Sequence, residues 1–132
     1  MFLVRPRVES VTPESTLGAN TTVSTGTGAV TFSVTVDGAQ SLTANSTSAT
    51  TFGGTVGGTT ALASLTTDAG GNVSLQSVTT SGSQSYTELV TLAANTTLTG
   101  TDPTFTTGVA GDGKNLTLNF TGTTAIDGTT FT

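Results

Sequence analysis

The octapeptide Thr16-Leu17-Gly18-Ala19-Asn20-Thr21-Thr22-Val23 returns as Thr91-Leu92-Ala93-Ala94-Asn95-Thr96-Thr97-Leu98, with six of eight positions identical and the last an apolar replacement. The spacing is 75 residues, and the residues after each copy correspond as well. Thr31-Phe32 comes back as Thr104-Phe105 at 73, Leu42-Thr43 as Leu116-Thr117 at 74, and Phe52-Gly53-Gly54 as Ile126-Asp127-Gly128 at 74. A drift of one or two residues over a long fixed period is the mark that loop insertions and deletions leave behind. The chain therefore reads as a repeat protein, with one unit of about 74 residues and part of a second.

Within that unit the pattern is one of short apolar-alternating runs punctuated by Gly, Asn and Asp. Val30, Phe32, Val34 and Val36 fall on one face of a run at period two, and Asp37-Gly38 reads as the turn that ends it. Ser41–Ala44, Thr50–Phe52, Ala61–Leu65 and Val73–Leu75 continue the series, as do Tyr86, Leu89, Leu92, Leu98, Phe105, Val109, Leu116–Phe120 and Ile126. Helical periodicity is missing throughout, and the 35 Thr residues favour extended backbone. The fold class is all-β.

A sandwich also has many short strands, so the choice of architecture rests on an inner period. Phe32 to Phe52 is 20 residues, Leu42 to Leu62 is 20, and Phe105 to Ile126 is 21. A coil of about 20 residues lays each strand over its counterpart roughly 4.8 Å higher, so that equivalent apolar side chains pile up inside. The expected fold is a single-stranded parallel β-helix, a β-solenoid, with three or four coils to each long unit. Its core stack is expected from Phe32, Phe52, Leu42 and Leu62, continued by Leu75, Leu98, Phe105, Leu116 and Ile126. Small residues outside would form ladders of like on like, which need no charges to pair. That accounts for a charged share of only 8%.

The net charge of −5 and the lone Lys114 after Arg7 leave no clustered cations for nucleic acid or anionic lipid. No stretch is long enough to span a bilayer as a helix, and Met1–Val4 is too short for the core of a signal peptide. Cys is absent, which suits oxidising surroundings without requiring them. Residues 1–15 hold both arginines, two of the three prolines and no glycine, and read as an N-terminal arm or cap. Residues 16–132 form the solenoid domain. The final residues stop inside the repeat pattern. Terminal coils of solenoids usually carry polar caps, so either the chain is cut from a longer one or the open end is used. In the second case one copy accepts the next in a head-to-tail stack that does not close, with Phe2, Val4, Ile126 and Phe131 at the joining ends.

Candidate chemistry is thin. Asp37, Asp68, Asp102, Asp112 and Asp127 mostly adjoin Gly and suit turns in which Asp bonds its own backbone. Asp37 and Asp112 could stack on one edge as a carboxylate pair, but with no His and one Lys an acid/base set is hard to assemble. The reading is not an enzyme. No nonapeptide period repeats the Gly108–Gly113 loop, so no metal or cofactor is expected. Thr-x-Thr pairs such as Thr97/Thr99 and Thr104/Thr106 would bind ice only if they recurred in register once per coil, which the spacing does not indicate. Asn20 and Asn95 are equivalent by the repeat and could build an internal amide ladder. The aromatic residues, Tyr86 and Phe120 included, read as core fillers because they alternate with outward Thr.

Val36–Thr43, Thr51–Gly58, Ala63–Gly71 and Leu89–Leu92 resemble the repeats of very large bacterial surface proteins, the filamentous-haemagglutinin-like and autotransporter-like adhesins. The resemblance covers about Thr16 to Thr132. It implies a right-handed parallel β-helix on or released from a bacterial cell, acting as an extracellular stalk or adhesive fibre. On this reading the chain is a structural or adhesive module whose partner is itself. An adhesin fragment that binds a glycan or host surface is the alternative, with an ice-binding protein or a polysaccharide-active β-helix enzyme behind it.

Overall fold

The computed structural model describes residues 15–68, 70–126 and 130–132. Those residues hold seventeen short strands and no helix, wound as a parallel β-solenoid of about five turns. Numbered along the chain, the strands fall in rotation on three faces. The first face takes β1 (Ser15–Thr16), β4 (Val36–Asp37), β9 (Val78–Thr79), β12 (Thr96–Gly100) and β15 (Leu116–Phe120). The second takes β2 (Thr21–Gly26), β5 (Ser41–Ser46), β7 (Ser64–Thr67), β10 (Gln84–Tyr86), β13 (Pro103–Phe105) and β16 (Ala125–Ile126). The third takes β3 (Val30–Phe32), β6 (Thr50–Phe52), β8 (Asn72–Leu75), β11 (Leu89–Leu92), β14 (Gly108–Ala110) and β17 (Thr130–Phe131). The second and third faces are unbroken six-stranded sheets. On the first face, β4 and β9 are joined only through single bridges to Val56.

Each strand is short because the chain must turn a corner every few residues. The alternation of side chains across a strand then decides what the shaft contains. β2 runs buried-exposed throughout, and β5, β6, β7, β8 and β12 likewise place every second residue inside. Val36, Val56, Val78 and Leu98 succeed one another on the first face, each with no exposed surface. On the third face Phe32 lies opposite Phe52, the rings 5.1 Å apart and 3° from parallel. On the second, Tyr86 lies opposite Phe105, at 5.4 Å and 13°. Offset stacks of this kind add to the simple burial of the rings. Three columns of apolar side chains thus converge on one shaft.

Three sequence expectations need amending. The run Val30 to Val36 is not one strand: β3 ends at Phe32, the chain bends through Ser33–Thr35, and Val36 belongs to the next face. Val34 is only half-buried as a result. Leu42 does not sit under Leu62 but opposite Leu65, 23 residues on, because this coil carries extra residues in the loop Gly57–Ala61. Leu62 is still fully buried, at a corner, bridged to Thr80.

The third amendment concerns the long repeat. Thr16 is in β1 but its counterpart Thr91 is in β11, so the motif moves from the first face to the third. Val23 to Leu98 moves from the second to the first, Phe32 to Phe105 from the third to the second, and Leu42 to Leu116 from the second to the first. Every pair steps back by one face. One unit takes in ten strands and the bridge at Val56, eleven faces in all, which is three coils and two faces of a fourth. The repeat is a strand-and-corner unit, indifferent to which corner of the triangle it occupies.

Candidate functional site

The repeated octapeptide is a corner device. Thr21 Oγ1 donates to the Ala19 carbonyl at 2.9 Å, and Thr96 Oγ1 donates to the Ala94 carbonyl at the same distance. Asn20 Oδ1 accepts the amide N–H of Ser41 at 3.0 Å, and Asn95 Oδ1 accepts that of Asn115, also at 3.0 Å. Both Asn side chains are exposed, and they stand at different corners. The expected internal amide ladder is therefore not what they build: each holds a backbone N–H of the coil above. A corner leaves such groups out of the sheet ladder, and they need a partner.

The aspartates do the same work. Asp37 Oδ1 accepts the N–H groups of Thr59 and Thr60 at 2.8 and 3.0 Å, and Asp102 Oδ1 accepts that of Thr123 at 3.1 Å. Asp68 Oδ1 reaches the other way, to the N–H of Ser46 at 2.9 Å. Turn aspartates were expected to bond their own backbone, but stacking brings an adjacent coil's amide closer than the local turn does. Asp37 and Asp112 cannot form a carboxylate pair, since one ends a first-face strand and the other comes after β14 of the third face. Asp112 holds a left-handed turn at φ 48°, and Lys114 Nζ donates to its carbonyl at 3.3 Å. Asp127 lies outside the described residues. Among the described residues no three His, Cys, Asp or Glu side chains gather to hold a metal.

Hydroxyls recur outside the shaft more regularly than the Thr-x-Thr spacing indicated. On the second face Thr22, Thr43, Thr66, Ser85 and Thr104 succeed one another in direct register. On the third, Thr31, Thr51, Ser74 and Thr91 do so. Two such columns run side by side on the second face, where Ser64 and Thr66 stand over Ser41 and Thr43, and on the first, where Thr117 and Asn119 stand over Thr97 and Thr99. Unequal coil lengths hide these columns from any fixed-period count.

Inside, one polar cluster escaped sequence reasoning. Gln84 takes the position that Leu42 and Leu65 occupy in the coils beneath, and has no exposed surface. Its Nε2 donates to the Thr99 carbonyl at 2.9 Å and to Thr80 Oγ1 at 3.2 Å, while its Oε1 accepts the Tyr86 hydroxyl at 2.8 Å. Burial, and then the charge of Glu88, push the Tyr86 phenol upward. Glu88 stands at the corner between β10 and β11, where Oε2 accepts Thr67 Oγ1 at 2.9 Å. Only register exposes Gln84 as a polar residue in an apolar column.

The remaining candidates lie at the ends of the stack. Leu116, Leu118 and Phe120 of β15 are half-buried and packed on the core, and β15 is the end strand of its sheet. Beside it opens a cleft of about 250 Å³ lined by Leu92, Val109, Gly111, Lys114, Leu116 and Thr132. Ile126 in β16 pairs with Phe105, and Phe131 in β17 with Val109, in the end strands of the other two sheets. Phe2 and Val4 lie outside the described residues, as does the arm up to residue 14, and Ser15 already belongs to β1. Of the expected core stack, Phe32, Phe52 and Leu75 are buried on the third face, Leu42 and Phe105 on the second, and Leu98 on the first. Comparison with protein-family models, with curated proteins and with solved structures found no match.

Proposed function

We propose that the chain is a structural module of an extracellular, adhesin-like fibre, and that its partner is a second copy added head to tail. The observation that carries this reading is β15. Among the described residues it has a sheet neighbour on one side, and its inward residues Leu116, Leu118 and Phe120 are half-buried against the apolar shaft. At the opposite end β1, β2 and β3 are the end strands of the same three faces among the described residues. In a parallel ladder the groups left unpaired at one edge are those that the other edge lacks, so copies stack without a symmetric contact and grow a filament. No catalytic role is assigned, as the chain has no His and the carboxylates of Asp37, Asp68 and Asp102 are engaged with backbone amides. Light scattering and negative-stain microscopy of purified protein over a concentration series test the proposal. Filaments are expected, and Leu118→Glu, which puts a charge on the joining edge, should abolish them. Monomer alone at high concentration would overturn the reading.

The outward hydroxyl columns support a second reading, in which the flanks of such a module contact a glycan or host surface. Saturable binding on a glycan array by the monomeric Leu118→Glu protein is its test.

A further inference from the structure

Glu88 is 4% exposed, yet only one of its two carboxyl oxygens is bonded to a side chain. Thr67 Oγ1 serves Oε2, whereas Oε1 is buried with no hydrogen-bond partner. The corner that carries it is clasped to its neighbours by hydroxyls: Thr87 Oγ1 donates to the Thr67 carbonyl below, and Thr107 Oγ1 to the Thr87 carbonyl, both at 2.7 Å.

Among the described residues the charges around it all have one sign. From the coil below, the ionisable neighbour is Asp68, whose negative charge opposes ionisation of Glu88. From β10 it is the Tyr86 phenol, held neutral by its own burial. The coil above contributes Thr106 and Thr107, and the start of β8 contributes Asn72, none of them ionisable. Lys114 is the one basic side chain among the described residues, and it is engaged with the Asp112 carbonyl at another corner. A buried carboxylate without a counter-ion is costly, and a protein meets that cost by keeping the proton or by exposing the group.

We propose that the corner between β10 and β11 is a proton-operated latch, closed while Glu88 is protonated and opened towards water when Glu88 ionises. Desolvation is the main cause that holds the carboxyl above its ordinary range. It is opposed by the nearby Glu88 and Thr87 amides and by the Thr67 hydroxyl, and Asp68 reinforces it. Linkage sets the direction. A carboxyl whose folded-state titration is raised contributes its full stabilisation below the unfolded value of about 4.3, and loses it as pH climbs to the folded value. Opening therefore increases about tenfold per pH unit across that window and then levels off. The latch lies within the stack, away from the joining edges, so its operation is separable from assembly.

Hydrogen exchange of the segment 84–92, corrected for the intrinsic pH dependence of amides, tests this between about pH 4 and 8. In the wild type the opening constant should rise with pH, with a slope of up to about tenfold per unit, and in Glu88→Gln it should stay flat. Matching profiles in the two proteins would overturn the latch. If Glu88→Gln does not fold, the carboxyl carbon of wild-type Glu88 decides by NMR. Titration well above about 4.3 supports the latch, and titration at the ordinary value rules it out.

Discussion

Phe32 and Phe52 offer the sharpest test of the stacked shaft. Both rings are buried, at 2% and 1% exposure, and they lie parallel one coil apart. Truncating a buried Phe to Ala costs about 3–5 kcal/mol, from lost transfer energy and the cavity left behind. A domain with roughly 5–15 kcal/mol of total stability could lose most of it to that single change. The Leu replacements are therefore the better probe. Phe32→Leu and Phe52→Leu keep an apolar side chain in place and remove the ring–ring contact, which is worth about 0.5–1.5 kcal/mol beyond burial. Once either ring is gone the contact is already lost, so the double variant should be less destabilised than the sum of the singles by about 1 kcal/mol. Urea unfolding followed by far-UV circular dichroism gives the free energies. Tyr86 is the only tyrosine and tryptophan is absent, so its fluorescence reports separately on a different coil. Additivity within about 0.3 kcal/mol would show that the rings are not in contact, and the coil-on-coil register of the third face would fall with it.

Gly57 has φ 69°, and a methyl there would come within 2.1 Å of the Thr79 carbonyl oxygen, a backbone atom of the next coil. Gly57→Ala should lose more than about 2 kcal/mol, whereas Gly113→Ala, at φ 77° but in open space, should lose only the conformational cost of about 1 kcal/mol; paired thermal melts compare them. Asn20→Ala and Asn95→Ala each remove one corner bond, and urea midpoints should show losses of about 0.5–1.5 kcal/mol that add in the double variant, since the two share no partner. Tyr86→Phe removes one oxygen but leaves Gln84 Oε1 buried without its donor, costing about 1–3 kcal/mol in chemical denaturation. Adding Gln84→Leu should recover part of that loss, because the orphaned acceptor goes too.

Much of this is local chemistry and so was legible in the chain. Alternation of apolar with Thr and Ser residues determined an all-β fold, and the 20-residue return of Phe32 at Phe52 determined that coils lie flat on one another. Asn20 and Asn95 were recognisable as equivalents because their octapeptides recur, and the structure gives both the same bond to the coil above. Their partner was not legible, because an amide 20 or 21 residues away is as near in space as the next residue in the turn.

Register is what the tertiary structure alone decided. A loop enlarged at Gly57–Ala61 slides Leu42 from Leu62 to Leu65, and no fixed period anticipates it. The same unequal coils put Thr22, Thr43, Thr66, Ser85 and Thr104 in one column and set Gln84 in an apolar one. Which face receives a strand depends on the number of corners already turned, a sum over the whole preceding chain. Whether a carboxyl such as Glu88 keeps its proton depends on which neighbours that sum delivers, and its own sequence neighbourhood carries no record of them.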